Sequence, residues 1–424
     1  MTSVHFITQG CSANQADSEQ MMGLLKVAKF ELTENLEEAD ILVYNTCTVK
    51  NSPESGFFNH LQEIKREHPY KIMVLTGCIA QADKDKLKEY PLVGTNQIHN
   101  IVLVVEEALN NNVVKMLETG EMPPLNLPKV RLNPIIEIIP LNWGCLSTCT
   151  FSKTKSAREN LKSYPLKEIV EAASKAVKEG VKEIRLTSQD TFGYGFDMGT
   201  NIVELLNNII KIPGQFKIRI GMGSPVHLIK IADQFIPLLN HEKVFSFIHL
   251  PAQSGSDEVL RNMHKGNTDQ EFRMLVKKLR NAVPNLNLIT DIIVGFPGET
   301  DDDFWKTLNL AREISPDSIN ISRYWARPKN PAAKMEQVSV EIIQRRSGTL
   351  TDIFHNISKL QNEKWIGWEG PALIYEPGKL AGQWIGINNS YKQVLVNGDF
   401  KLGDLVRVRV IKAGTFDLIG EVVI

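Results

Sequence analysis

The sequence has no apolar run approaching the roughly 18 residues of a membrane span, so it is not expected to cross a bilayer. It lacks an excess of charge of either sign: 48 basic against 49 acidic residues leave a net charge of −1. With no global field to steer a polyanion, any nucleic-acid contact must come from local patches. The opening MTSVHFITQGC lacks the basic start and long apolar stretch of a secretory signal, so a cytoplasmic location is expected. Cysteine is scarce as well. Five thiols, an odd number, argue against a disulfide framework and leave buried spectators, a nucleophile or metal ligands.

What is present reads as ordinary globular protein. Hydrophobic residues make up 42% and charged residues 23% of 424, which excludes a disordered or collagen-like chain. The length calls for more than one domain. In residues 1–120, strand-like runs Val4–Thr8, Ile41–Asn45 and Ile72–Thr76 alternate with helical patterns at intervals that favour parallel βαβ units. Cys11, Cys47 and Cys78 each follow one of these strands. Ligands gather beyond the carboxyl ends of such strands, so the topology draws the three thiols together.

Prolines 123, 124, 128 and 134 mark residues 121–134 as a linker. Alternation then resumes over 135–360, with strands expected at Ile138–Leu141, Ile184–Thr187, Lys217–Ile220, Phe245–Leu250, Leu288–Val294 and Ser318–Ser322. Six βα-type units suit a partial barrel rather than a closed eight-stranded one. A helix near Ile342–Asn362 leads out. Frequent glycines across 361–424 punctuate short alternating runs, including Gln393–Val396 and Leu405–Val410, and predict a small antiparallel β-barrel. The fold class is thus α/β with an all-β tail.

Cys145 and Cys149 lie in Trp143-Gly-Cys-Leu-Ser-Thr-Cys-Thr-Phe-Ser152, directly after the first barrel strand, on the face where barrel active sites are built. A four-residue step lets two thiolates reach one iron–sulfur or zinc centre. The bland alternative is a chance pair of buried thiols. This segment resembles the radical S-adenosylmethionine (SAM) signature CxxxCxxC, with Phe151 before its last position. The whole chain resembles the radical SAM methylthiotransferases, above all the archaeal and eukaryotic branch acting on N6-threonylcarbamoyladenosine of tRNA. GCSANQADSE (10–19), NTCTVK (45–50), LTSQDTFGYGFD (186–197), HLPAQSGSDEVL (249–260), TDIIVGFPGETDDDF (290–304) and NISRYWARPKNPAAKM (320–335) carry the likeness in order. The glycine-rich tail resembles the family's TRAM domain.

The resemblance implies methylthiolation of that nucleoside at position 37 by a SAM radical. It implies two [4Fe–4S] clusters, one on Cys11, Cys47 and Cys78, the other in the radical SAM barrel. It also implies SAM as cofactor, with tRNA, an electron donor such as ferredoxin or flavodoxin, and a sulfur donor as partners. The sequence departs from the pattern in four places. Ser152 stands where the third barrel cysteine belongs, and serine ligates iron only as an alkoxide, so a Cys145–Cys149–Ser152 cluster is expected to be weak. Glu159 replaces the glycine of Ala-Arg-Gly, Met263-His264-Lys265 replaces Met-Asn-Arg, and Lys329-Asn330 replaces Gly-Thr.

For SAM, the matching polar residues are Ser188, Gln189 and Asp190 after the second barrel strand. The bland reading for Asp190 is a turn cap. Arg219 could pair with the SAM carboxylate or sit in a strand-edge ion pair. Gln253 and His249 could face the adenosine, and Gly295 would let backbone approach the adenine. Lys153, Lys155, Arg158 and Lys162 form either a phosphate-contacting patch or a solvated helix face. In the charge-balanced tail, Trp365, Trp368, Trp384, Tyr375 and Tyr391 could stack on bases or fill the core. Two other readings remain: a tRNA-binding descendant without radical chemistry, and an iron–sulfur enzyme with a small-molecule substrate.

Overall fold

The computed structural model describes residues 2–47, 54–327 and 330–423. Thr48–Lys50 of NTCTVK and the expected turn residues Pro328 and Lys329 lie outside them. The first unit is a six-stranded parallel sheet. Ser3–Thr8, Ile41–Thr46 and Ile72–Gly77 are adjacent strands within it. Period-2 alternation explains its two layers. Ile41 and Val43 pack with Met21, Leu25, Ile101 and Val105 on one face. Leu42 and Tyr44 pack with Phe57, Leu61 and Ile79 on the other.

The helix Ser12–Val27 is buried along most of its length, including Asn14, Asp17, Ser18 and Glu19. Glu19 accepts a 3.1 Å hydrogen bond from the Leu132 amide, while its other carboxyl oxygen is buried without a partner. Burial pushes its pKa up to about 7. A carboxyl raised in the folded state penalises folding once ionised, so this loss grows as pH rises from the ordinary value through about 7. Glu19→Gln should therefore stabilise the fold at pH 8 by on the order of 1–3 kcal/mol and leave it unchanged below about pH 4.5. Chemical denaturation at the two pH values checks this, and an equal effect at both would contradict it.

Six further parallel strands follow in chain order. Ile136–Pro140, Glu183–Thr187 and Lys217–Ile220 form one group. Phe247–His249, Asn287–Val294 and Ser318–Arg323 form the second. A bridge between Ile218 and Val244 joins the two groups into one open arc, the partial barrel expected from the six units. The fourth strand is shorter than the sequence suggested. Phe245 and Ser246 precede it and bond across to Ile218 and Asn389 instead. Helices coat the outside and enclose the largest core, centred on Ile184, Leu186, Ile218, Phe235 and Leu288.

The long helix Val340–Glu363 packs over the last strands and leads into a closed five-stranded barrel. Four of its seams are antiparallel, and the seam between Gln393–Asn397 and Leu418–Val422 is parallel. Trp365 fills this barrel's core, with Trp368 and Trp384 against it. Tyr375 and Tyr391 point out of it into the larger barrel, meeting Arg185, Phe245 and Phe247. All five aromatics are therefore at least partly buried, engaged by core or interface. Among the described residues, no helix is long and apolar enough to cross a membrane.

Candidate metal centres and cofactor site

The three N-terminal cysteines meet where three neighbouring strands end. Cys11 is the N-cap of Ser12–Val27, and Cys78 opens the helix Cys78–Ala82. Gly77 makes the second turn possible: at φ +88°, any Cβ would lie 2.3 Å from Asn45 Oδ1. Cys47 hydrogen-bonds to both other thiols. Behind them a polar lattice locks the strand ends. Asn14 Nδ2 donates to Asn45 Oδ1 at 2.9 Å and to the Thr46 carbonyl at 3.0 Å. Asn45 donates back to the Asn14 carbonyl and to Ser18 Oγ, both at 2.8 Å.

One cation faces this cluster from the barrel side. Arg158 is 2% exposed, pairs with Asp17, and stacks 4.2 Å from the centre of the Trp143 ring. The bond from Cys47, against burial and with help from the Arg158 charge, draws the Cys78 thiol down to about 7. Its bond with Cys47 and burial push Cys11 well above the ordinary thiol value. Among the described residues, no three His, Cys, Asp or Glu side chains are gathered to chelate a single metal ion. A polynuclear cluster makes no such demand, because each thiolate binds its own iron. Three reduced thiols gathered at one partly buried spot beside a guanidinium fit such a group.

The barrel loop fits less completely. Cys145 and Cys149 are free and partly buried, and both thiols touch Ser147. Its amide donates to Cys145 Sγ at 3.3 Å, and its hydroxyl lies 2.6 Å from Cys149 Sγ. Burial pushes Cys145 up to about 11. The Ser152 hydroxyl is engaged elsewhere: it accepts from the Thr154 amide at 3.2 Å and bonds Thr154 Oγ1 at 2.8 Å. Serine here closes a local turn onto Thr154, just ahead of the helix Thr154–Arg158. The donor set thus supplies two thiols and a hydroxyl that must leave its turn to reach iron.

The departure at Glu159 has a visible cost. Its backbone stands at φ 60°, ψ −151°, a region almost restricted to glycine. Its carboxylate partly offsets this by accepting from the Gly120 amide at 3.1 Å. Glu159→Gly should stabilise the fold by on the order of 1 kcal/mol, read as a higher melting temperature. A lower one would contradict the assigned strain. His264, where the family has asparagine, is at φ +56°, a conformation both residue types visit readily.

The residues expected around SAM sit at or near the carboxyl ends of the strands, in differing states. Asp190 is fully engaged: Oδ1 accepts from the Ser224 amide at 2.8 Å and Oδ2 bonds His227 at 2.6 Å. Ser188 Oγ accepts from the Asp190 amide and donates to Thr191. Gln189 and Gln253 each hold a buried side-chain oxygen with no partner. Arg219 stacks between Phe247 and Tyr391 with its Nε unpartnered. His249 pairs with Asp291 at 2.9 Å. The Gly295 amide donates to Glu299 Oε2, which Arg346 holds from the last helix at 2.7 Å.

The supposed phosphate patch is half internal. Lys153 is buried against Asp83 at 3.0 Å and Arg158 lies at the thiols, leaving Lys155 and Lys162 exposed. Composition could not separate a charge bound for the interior from one on a helix face. Sequence reasoning also missed Asp17 and Trp143 as partners of Arg158. It missed Asn142 too, buried with both side-chain polar atoms unpartnered just before the cysteine loop.

Residues 3–95 match the model described as Uncharacterized protein family UPF0004, and 139–311 match the Radical SAM superfamily. The chain is 40% identical to the threonylcarbamoyladenosine tRNA methylthiotransferase of Homo sapiens, over 98% of this chain and 73% of that one. It is 38% identical to the probable threonylcarbamoyladenosine tRNA methylthiotransferase of Pyrococcus horikoshii, over 100% of both. Among solved structures, the radical SAM methyltransferase TsrM from Kitasatospora setae superposes with a TM-score of 0.56 at 12% identity, over 78% of this chain and 75% of that one. That last likeness concerns the fold alone.

Proposed function

Because the chain belongs to the threonylcarbamoyladenosine tRNA methylthiotransferase family, we propose that it converts N6-threonylcarbamoyladenosine at position 37 of tRNA to its 2-methylthio derivative. The observation that carries this reading is the meeting of Cys11, Cys47 and Cys78 under Arg158, in a chain whose next cysteines sit on a radical SAM barrel loop. A spectator role would not need three thiols from three strand ends in mutual contact. Iron–sulfur and SAM chemistry suits the reaction, because the adenine C2–H offers neither an acidic proton nor a leaving group to polar catalysis. When bound in the barrel, the cluster supplies the electron that opens the SAM sulfonium.

The chain's own residues then divide the work. Cys11, Cys47 and Cys78 would hold the N-terminal [4Fe–4S] cluster, which would supply the chemistry of sulfur delivery. Cys145 and Cys149 would hold the barrel [4Fe–4S] cluster, with Ser152 as a weak third ligand once its hydroxyl leaves Thr154. Gln189 and Gln253, whose side-chain oxygens lack partners, accept from the donors of SAM. Ser188 and Gly295 line the same rim. Asp190 braces it through His227 and Ser224. Arg219 supplies a cation on the third strand. The domains follow as 1–120, 121–134, 135–360 and 361–424. Electrons come from a carrier such as ferredoxin or flavodoxin, sulfur from a separate donor, and five free thiols suit a reducing cytoplasm.

Mass spectrometry of position-37 nucleosides from a deletion strain tests the reading. The 2-methylthio adduct should vanish and return with the wild-type gene. Unchanged modification would favour a tRNA-binding role without catalysis.

A further inference from the structure

We propose that Arg158 is a positioning residue that sets the electrostatics of the N-terminal cysteine site and ties the barrel cysteine loop to it. This rests on the reading above only in that a cluster occupies Cys11, Cys47 and Cys78. Burying a guanidinium is unfavourable unless its surroundings hold the charge. Arg158 is 2% exposed and lies 141 residues along the chain from Asp17, its one carboxylate partner among the described residues. One carboxylate balances one cation. The guanidinium also faces Cys78 and Cys11, stacks on Trp143 and keeps a buried Nε without a partner. It therefore has reach left over for sulfur ligands that become anionic when they bind iron.

The segment just before it is pinned to the N-terminal domain. The Thr95 hydroxyl donates to the Ala157 carbonyl at 2.6 Å, and Lys153 pairs with Asp83 at 3.0 Å. Trp143 Nε1 donates to Asn96 Oδ1 at 2.9 Å. The Cys145 amide donates to the Glu159 carbonyl at 3.3 Å, so the loop carrying the barrel thiols starts from the same pinned segment. A cation fixed this way is placed by both domains at once. Nearby fixed charge tunes the reduction potential of an iron–sulfur cluster.

The test uses the full chain carrying Cys145→Ala and Cys149→Ala, so that only the N-terminal cluster forms on anaerobic reconstitution. Iron and sulfide per chain and the reduction potential are measured with Arg158 intact, as Arg158→Lys and as Arg158→Gln. Arg158→Lys keeps the charge and should hold the parent potential. Arg158→Gln should shift it to more negative values, because a positive charge that favours the reduced cluster is gone. Should Arg158→Gln not fold, Asp17→Asn added to it removes the unpaired carboxylate and should show a smaller shift of the same sign. Iron in the parent with no shift in Arg158→Gln, or in Arg158→Gln with Asp17→Asn, overturns the proposal alone. A parent that binds no iron overturns it together with the cluster assignment.

Discussion

Replacing Ser152 with cysteine should raise the iron and sulfide bound per chain after anaerobic reconstitution toward two full clusters, and slow bleaching of the barrel centre in air. The expectation follows from what the serine hydroxyl does now. It bonds the Thr154 amide and hydroxyl at the start of the short helix leading to Arg158. To reach iron it must give up these bonds and lose a proton held far more tightly than a thiol's. A cysteine has the second difficulty in much smaller measure. The variant should loosen that turn a little and gain a third thiolate beside Cys145 and Cys149. Equal iron and sulfide in wild type and variant, at two full clusters, would show that serine suffices.

Cys47→Ala should lower 2-methylthio formation to below roughly a hundredth of wild type, since even groups that only support a metal ligand matter 10–100-fold. Cys47 is the thiol that bonds both of its neighbours, so its loss opens the set at the centre. The barrel loop is untouched, and reductive cleavage of SAM to 5′-deoxyadenosine should continue. Cys145→Ala should remove both activities. Chromatography of 5′-deoxyadenosine beside nucleoside mass spectrometry separates the two outcomes. Loss of SAM cleavage in Cys47→Ala would mean that the two cysteine sets do not act as distinct centres.

Much of the fold was legible because the signals were local. Strand periodicity, the interval between strand ends and the glycine-punctuated tail each act over a few residues. The convergence of Cys11, Cys47 and Cys78 was legible too, since parallel neighbours bring their carboxyl ends together whatever lies between them. The inward turn of Lys153 and Arg158 was hidden. A helix of five residues has no face that composition can reveal, and their partners Asp83 and Asp17 are distant in sequence. Asp190 was legible as a polar strand end but not as the partner of His227, on another element. Tyr375 and Tyr391 looked like base-stacking candidates because their other use, against Arg185 and Phe245, exists only once two domains meet. Glu159 stood out as a lost glycine, and only the backbone torsion gave that loss a magnitude.

The most direct test supplies purified, anaerobically reconstituted wild-type protein with SAM, a strong reductant, sulfide and tRNA bearing N6-threonylcarbamoyladenosine at position 37. Time-dependent appearance of the 2-methylthio nucleoside, absent with Cys47→Ala, is the predicted result. Protein that remains colourless and leaves the nucleoside unaltered under these conditions would contradict the account.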